Sequence, residues 1–211
     1  MITKFKEEAL RKALRALNLN QQKRFGVFCL DRIVTLYQDI DCHIDISEMD
    51  RGLQKGDAFL TFDFIYQNAK QTNDALTLIP LREKCDGLII DTDEIYSSTT
   101  ENITYKIVGE CLYTFLSFLI EHKVEHILDC SRLMIDLLNA QLSDYLFSIL
   151  ENEEACDQAL DKCFQAEYAI QGEAITYISK QDLEGLNHLT DKTMLFKQPD
   201  LTLNLLKRQL Y

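Results

Sequence analysis

Apolar residues recur along this chain at intervals of three and four, the spacing of one face of an α-helix. Phe5, Ala9, Ala13 and Leu17, joined by Leu10 and Leu14, form a first stripe that Asn18 to Asn20 interrupt. A second helix is predicted on Phe25, Phe28, Cys29, Ile33, Leu36 and Tyr37, and Val27, Leu30 and Val34 widen its apolar face enough to place it centrally. The stretch Asp39 to Asp50 alternates carboxylates with isoleucines and reads as a loop. Ser47 is predicted to cap a third helix whose core positions are Leu53, Phe59, Leu60, Phe62, Phe64 and Ile65. A short helix follows around Pro80 to Asp86, with the proline in its first turn, and Gly87 suits a left-handed residue at its end.

Ser98-Thr-Thr-Glu101 has the pattern of a capping box and opens a long helix through Ile103, Ile107, Val108, Cys111, Leu112, Phe115, Leu116 and Leu119. Another is predicted from about Ser131 to Leu150, on Met134, Leu137, Leu138, Tyr145, Leu146, Ile149 and Leu150. Asn152 caps the next, carried by Cys156, Ala159, Leu160, Cys163, Ile170, Ala174 and Ile178. Pro199 and Asp200 begin a last short helix ending near Leu210, with Lys207 and Arg208 toward its negative end. Only seven glycines and two prolines punctuate the chain. The expected architecture is therefore all-α: a single compact domain over residues 1–211 with about seven to nine helices.

Composition supports a folded core, since 46% of the 211 residues are hydrophobic. The first residues interleave apolar and charged side chains, so a secretory leader is not expected. The most apolar stretch, Cys111 to Ile120, is about half of the roughly 20 residues that cross a bilayer, which predicts a buried helix and no membrane association. Seven cysteines without a C-x-x-C pattern read as free thiols used as small hydrophobes in a reducing, cytoplasmic setting. The sequon Asn102-Ile-Thr104 carries no weight there.

Charge changes the picture most. Residues 1–36 hold eight basic and three acidic side chains, and residues 37–211 hold fourteen and thirty-one, so +5 is followed by −17 within a total of −12. Between Leu133 and Ser179, Asp136, Asp144, Glu151, Glu153, Glu154, Asp157, Asp161, Glu167 and Glu173 face a single Lys162. Glu151, Glu153 and Glu154 are accounted for by a helix start, where the macrodipole favours anions. Asp157 and Asp161 continue from Glu153 at four-residue steps, an unfavourable arrangement for an isolated helix. Crowding of one sign points to a basic protein partner. The expected contact residues are Asp136, Asp144, Asp157, Asp161, Glu167 and Glu173, with Asp39, Asp41 and Asp45 from the loop. Lys4, Lys6, Arg11, Lys12, Arg15, Lys23 and Arg24 form a basic segment, but the acidic remainder would repel nucleic acid, so this segment is expected to pack against the chain's own acidic half.

Catalytic patterns are sparse. His122-Lys-Val-Glu125-His126 fits H-x-x-E-H, in which two histidines on one helix face hold zinc beside a glutamate base, and Cys130 would extend that face. The competing expectation puts Lys123 and Val124 near a helix connection with both histidines in water. Asp39-x-Asp41-x-His43-x-Asp45, ending at Asp50, lacks both the glycine and the bidentate glutamate of a calcium loop. Asp91-x-Asp93-Glu94 reads as an exposed loop, and Cys42 beside His43 lacks an orienting third group. No phosphate-cradling glycine loop occurs. No catalytic residue, metal or cofactor is expected.

Leu14 to Leu19 with Gln21-Gln22, the run Phe25 to Tyr37 including Arg32, Ile90-Asp-Thr-Asp-Glu94, the helix Ile103 to Ile120 and Cys130-Ser131-Arg132 together resemble the YjaG-like family of bacterial all-helical proteins of unknown function. The chain departs from that family in having no tryptophan, with Phe64 or Tyr66 near the usual place, and in carrying Leu36 before Tyr37. The resemblance implies a compact helical fold and a cytoplasmic location and supplies no catalytic residues. The expected function is a non-enzymatic, acidic binding protein, in its most concrete form an immunity protein covering a basic toxin domain such as a nuclease. A stand-alone, homodimeric housekeeping member of that family is the second expectation. A metal-dependent hydrolase using His122, Glu125 and His126 is the third.

Overall fold

The computed structural model describes residues 2–41, 57–89, 99–196 and 199–209, and helices dominate all four segments. In chain order they are α1 (Ile2–Arg15), α2 (Leu19–Asp31), α3 (Val34–Asp41), α4 (Asp57–Gln71), α5 (Ala75–Asp86), α6 (Thr100–Glu121), α7 (Val124–Leu150), α8 (Glu153–Lys180), α9 (Leu183–Lys192) and α10 (Pro199–Gln209). There is no strand among the described residues, and the helices form one packed all-α arrangement. The most apolar helix, α6, lies at its centre against α2, α3, α4, α5 and α7. By length and composition α6 could cross a membrane, but here Val108, Leu112, Phe115 and Leu116 are fully enclosed by protein. On the far side of α7 runs α8, which in turn carries α1, α9 and α10.

Local chemistry explains most boundaries. Asn18 ends the first stripe and caps α2, its side chain accepting from the Gln21 N–H while Gln21 reaches back to the Asn18 N–H, both at 3.0 Å. Asp74, Asn152 and Asp182 cap α5, α8 and α9 in the same one-sided way, through the N–H groups of Thr77, Ala155 and Gly185. The three longest helices end on left-handed residues that are not glycine: His122 (φ 57°), Glu151 (φ 49°) and Gln181 (φ 59°). Each turns the chain sharply at the cost of a strained backbone.

Several expectations are corrected. The all-α expectation itself holds, with ten helices among the described residues, and the corrections concern individual elements. The helix predicted to run unbroken through Tyr37 divides at Arg32 and Ile33 because the Arg32 carbonyl accepts the Leu195 N–H at 2.8 Å. The proline helix begins at Ala75, directly after its cap Asp74, so Pro80 sits inside it, in a turn exposed to water, and Gly87 is right-handed (φ −66°). Thr99 caps α6 through the Asn102 N–H, at 3.2 Å. Ser98, Ser47 and Leu53 lie outside the described residues. Helix α7 starts seven residues before Ser131, whose hydroxyl instead bonds Gln171. Leu60 and Phe64, predicted as core, are 66% and 54% exposed, because α4 turns Phe62, Ile65 and Tyr66 inward.

Candidate functional site

The H-x-x-E-H residues occupy the connection between α6 and α7. His122 is the left-handed terminal residue of α6 and Lys123 precedes α7, so the two histidines do not share a helical face. Glu125 accepts from Arg15 of α1 at 3.0 Å, and the His126 ring meets Glu121 at 3.2 Å. Hydrogen bonds from Lys123 and His126 hold the Glu121 carboxyl down at about 2. These groups are committed to one another, and Cys130 is sealed in the core. An open groove of ≈ 860 Å³ runs beside them, lined by Leu17, Asn18, Leu19, His122 and Lys123 among others. Among the described residues, no group of three or more histidine, cysteine or carboxylate side chains is placed to hold a metal.

The expected partner contacts separate into three environments. Glu167 is removed from the surface altogether, which corrects its assignment as a contact residue: it is fully buried in a bidentate pair with Arg32, both contacts at 2.7 Å. Arg32 Nε also donates to the Thr193 carbonyl at 2.9 Å, its guanidinium stacks on Phe28, and Gln171 donates to Glu167 at 2.9 Å. Such a pair survives burial only because its remaining hydrogen-bonding groups are satisfied. A signal for it stood in the sequence, since Arg32 lies one turn from Phe28 and Leu36 on the core stripe of the second helix. Glu167 stands likewise between Cys163 and Ile170. The opposite charges identify each other only once α2 and α8 are known to pack together.

Asp136 lies beside Glu110 in a groove of ≈ 310 Å³ between α6 and α7, with Tyr113, Asp129 and Arg132. Burial raises the pKa of both carboxyls; Arg132 opposes the rise at Asp136, while Lys106 opposes it and Asp136 adds to it at Glu110. A carboxyl whose folded pKa is raised weakens the fold when ionised and strengthens it as pH falls through that pKa. Glu110→Gln is therefore expected to melt above the wild type at neutral pH, with the gain shrinking in mild acid. Melting curves at the two pH values check this, and an equal gain at both would show that ionisation is not its source.

The third environment is the corner where α7 turns into α8. Asp144 accepts from Thr100 at 3.1 Å, which marks the level at which α6 begins, and the residues through Leu150 continue past it. Asp157 and Asp161 point into solvent from α8, and Glu173, farther along, accepts from Tyr177 at 3.0 Å. None of the ion pairs among the described residues uses Asp144, Glu151, Glu153, Glu154, Asp157 or Asp161. Comparison with family models, with characterised proteins and with solved structures gives no match.

The basic first helix leaves this corner unneutralised. It does pack on α7 and α8, but Arg15 pairs with Glu125 at the start of α7, and Arg132 of α7 pairs back to Glu7 at 2.6 Å. From Glu125 to Glu151 α7 rises roughly 40 Å at 1.5 Å per residue, several screening lengths in physiological salt. Asp39 is half-buried on α3, while the Asp41 side chain and all of Asp45, Cys42, His43 and Asp91 to Glu94 lie outside the described residues. The six described cysteines are free and buried, and burial raises the thiol pKa of Cys29 and Cys85, as it does, after a contact with Cys111, that of Cys130.

Proposed function

We propose that this chain is a non-enzymatic, cytoplasmic binding protein whose acidic α7–α8 corner receives a basic protein partner. The observation that carries the reading is the set of carboxylates at that corner, Asp157 and Asp161 foremost, that make no ion pair among the described residues. Like-charge stacking along α8 costs about 0.2–0.5 kcal/mol per pair, a cost that a basic partner would convert into attraction. Steering by such a surface raises association rates and rejects acidic competitors. The most concrete form is an immunity protein that covers a basic toxin domain, with a nuclease as the leading class. A stand-alone member of the YjaG-like family, homodimeric through an apolar surface, is the second form.

The test is association with a basic nuclease toxin domain, followed by stopped-flow at low and high salt. Asp157→Lys with Asp161→Lys is expected to slow association about tenfold and to flatten its salt dependence. Unchanged rates in the double variant would remove the corner as the interface. Inhibition of that domain's nuclease activity by the wild-type chain separates the immunity form from the homodimer.

A further inference from the structure

We infer that Phe147 and Leu150 form the anchor with which this corner grips a basic amphipathic helix of its partner. Phe147 and Ile149 are 56% exposed and Leu150 is 38% exposed, although the same helix buries Leu137, Leu138, Leu142 and Leu146 almost completely. The change has a geometric cause. Helix α6 covers α7 only as far as the Thr100–Asp144 bond, so the last turn of α7 stands beyond its largest neighbour. On the other side α8 is joined at Cys156, whose thiol donates to the Ser143 carbonyl at 3.7 Å, and it rises away with its acidic residues outward. Phe147 and Leu150, three residues apart on one side of the last turn and next to carboxylates that make no ion pair among the described residues, have the composition of an interface centre with a polar rim.

Charge selects the occupant. Glu151, Glu153, Glu154, Asp157 and Asp161 follow the apolar residues in the chain, and Glu151 itself makes the left-handed turn that brings α8 back alongside α7. A second copy would bring the same carboxylates against these, which isologous contact penalises. A helix with a leucine or isoleucine stripe flanked by lysines or arginines satisfies both parts: its stripe covers Phe147 and Leu150, and its cations meet Glu153, Asp157 and Asp161. This assignment rests on the binding role proposed above and adds the anchor and the shape of the ligand.

The probe is a synthetic peptide with a leucine stripe and a lysine face in helical spacing, compared with a scrambled peptide of identical composition, by fluorescence anisotropy against the full chain. The wild type is expected to bind the amphipathic peptide at least about tenfold more tightly than the scrambled one, a hydrophobic-anchor contribution of ordinary size. Phe147→Ser with Leu150→Ser is expected to abolish that preference while leaving the melting temperature within a few degrees, because both side chains are already exposed. Phe147→Leu keeps the preference. Equal affinity for the two peptides, or a preference that survives the serine variant, overturns the anchor. If Asp157→Lys with Asp161→Lys still weakens both peptides, the acidic corner stands and only the anchor falls. If neither variant changes binding, both fall. A wild-type dimer that the serine variant converts to monomer would overturn the assignment in favour of a second copy.

Discussion

Glu167→Ala is expected to cost about 3–5 kcal/mol, because it leaves the Arg32 guanidinium buried with its counter-ion gone. The pair is fully enclosed and bidentate, so neither water nor another carboxylate replaces the lost partner. At roughly 2–4 °C per kcal/mol for a chain of this length, the melting temperature should fall by roughly 6–20 °C. The loss should also be local in character. Arg32 bonds the Thr193 carbonyl through Nε and accepts the Leu195 N–H on its own carbonyl, so it ties the segment after α9 to the α2–α3 junction. Hydrogen exchange at Leu195 should accelerate more than exchange in α6. Replacing both partners, Arg32→Met with Glu167→Leu, should recover much of the stability, since a buried ion pair is a poor substitute for well-packed apolar side chains. A double variant as unstable as Glu167→Ala would show that the hydrogen bonds to Thr193 and Gln171, and not the uncompensated charge, dominate.

Gly26→Ala is the second large effect, with a sign opposite to that of an ordinary helix substitution. Alanine in a helix interior usually gains about 0.5–1 kcal/mol over glycine. At Gly26 a methyl group would stand 2.5 Å and 2.7 Å from two ring atoms of Phe115 and 3.1 Å from the Ile127 side chain. Phe115 is fully buried in the middle of α6. The expected result is a loss of about 1–3 kcal/mol from overpacking, read by chemical denaturation. Phe115→Leu made together with Gly26→Ala should recover part of it; additive losses would place the clash elsewhere. The close approach also explains how α2 comes within reach of both α6 and α7.

Local signals carried the fold class a long way. The three-and-four spacing through Leu10, Leu14 and Leu17, the interruption at Asn18, the cap at Asn152, and the core stripe of α6 are all present as expected. These features act within a turn or two of chain, so their physics is complete in a short window. The failures share a cause. Leu60 and Phe64 satisfy helical spacing, yet α4 presents Phe62 and Tyr66 to Tyr37 and Asp31, and the choice of face depends on neighbours distant in the chain. The break at Arg32 is invisible locally, because the Leu195 N–H that captures its carbonyl arrives from beyond α9. Glu167 counts as a surface carboxylate until α2 is packed against α8.

The candidate site divides in the same way. An excess of carboxylate between Leu133 and Ser179 is a property of composition, and so is the scarcity of catalytic sets. Which carboxylates are left over is not. Tertiary structure buried Glu167, drew Asp136 into a groove with Glu110, tied Glu125 to Arg15, and left Asp157 and Asp161 in water beside the exposed Phe147 and Leu150. Helix content and net charge were settled by the sequence alone, because they sum over residues and near neighbours. Partner, burial and exposure were decided only when helices more than a hundred residues apart in the chain came into contact, because the energy of a charge depends on what lies within a few ångströms of it.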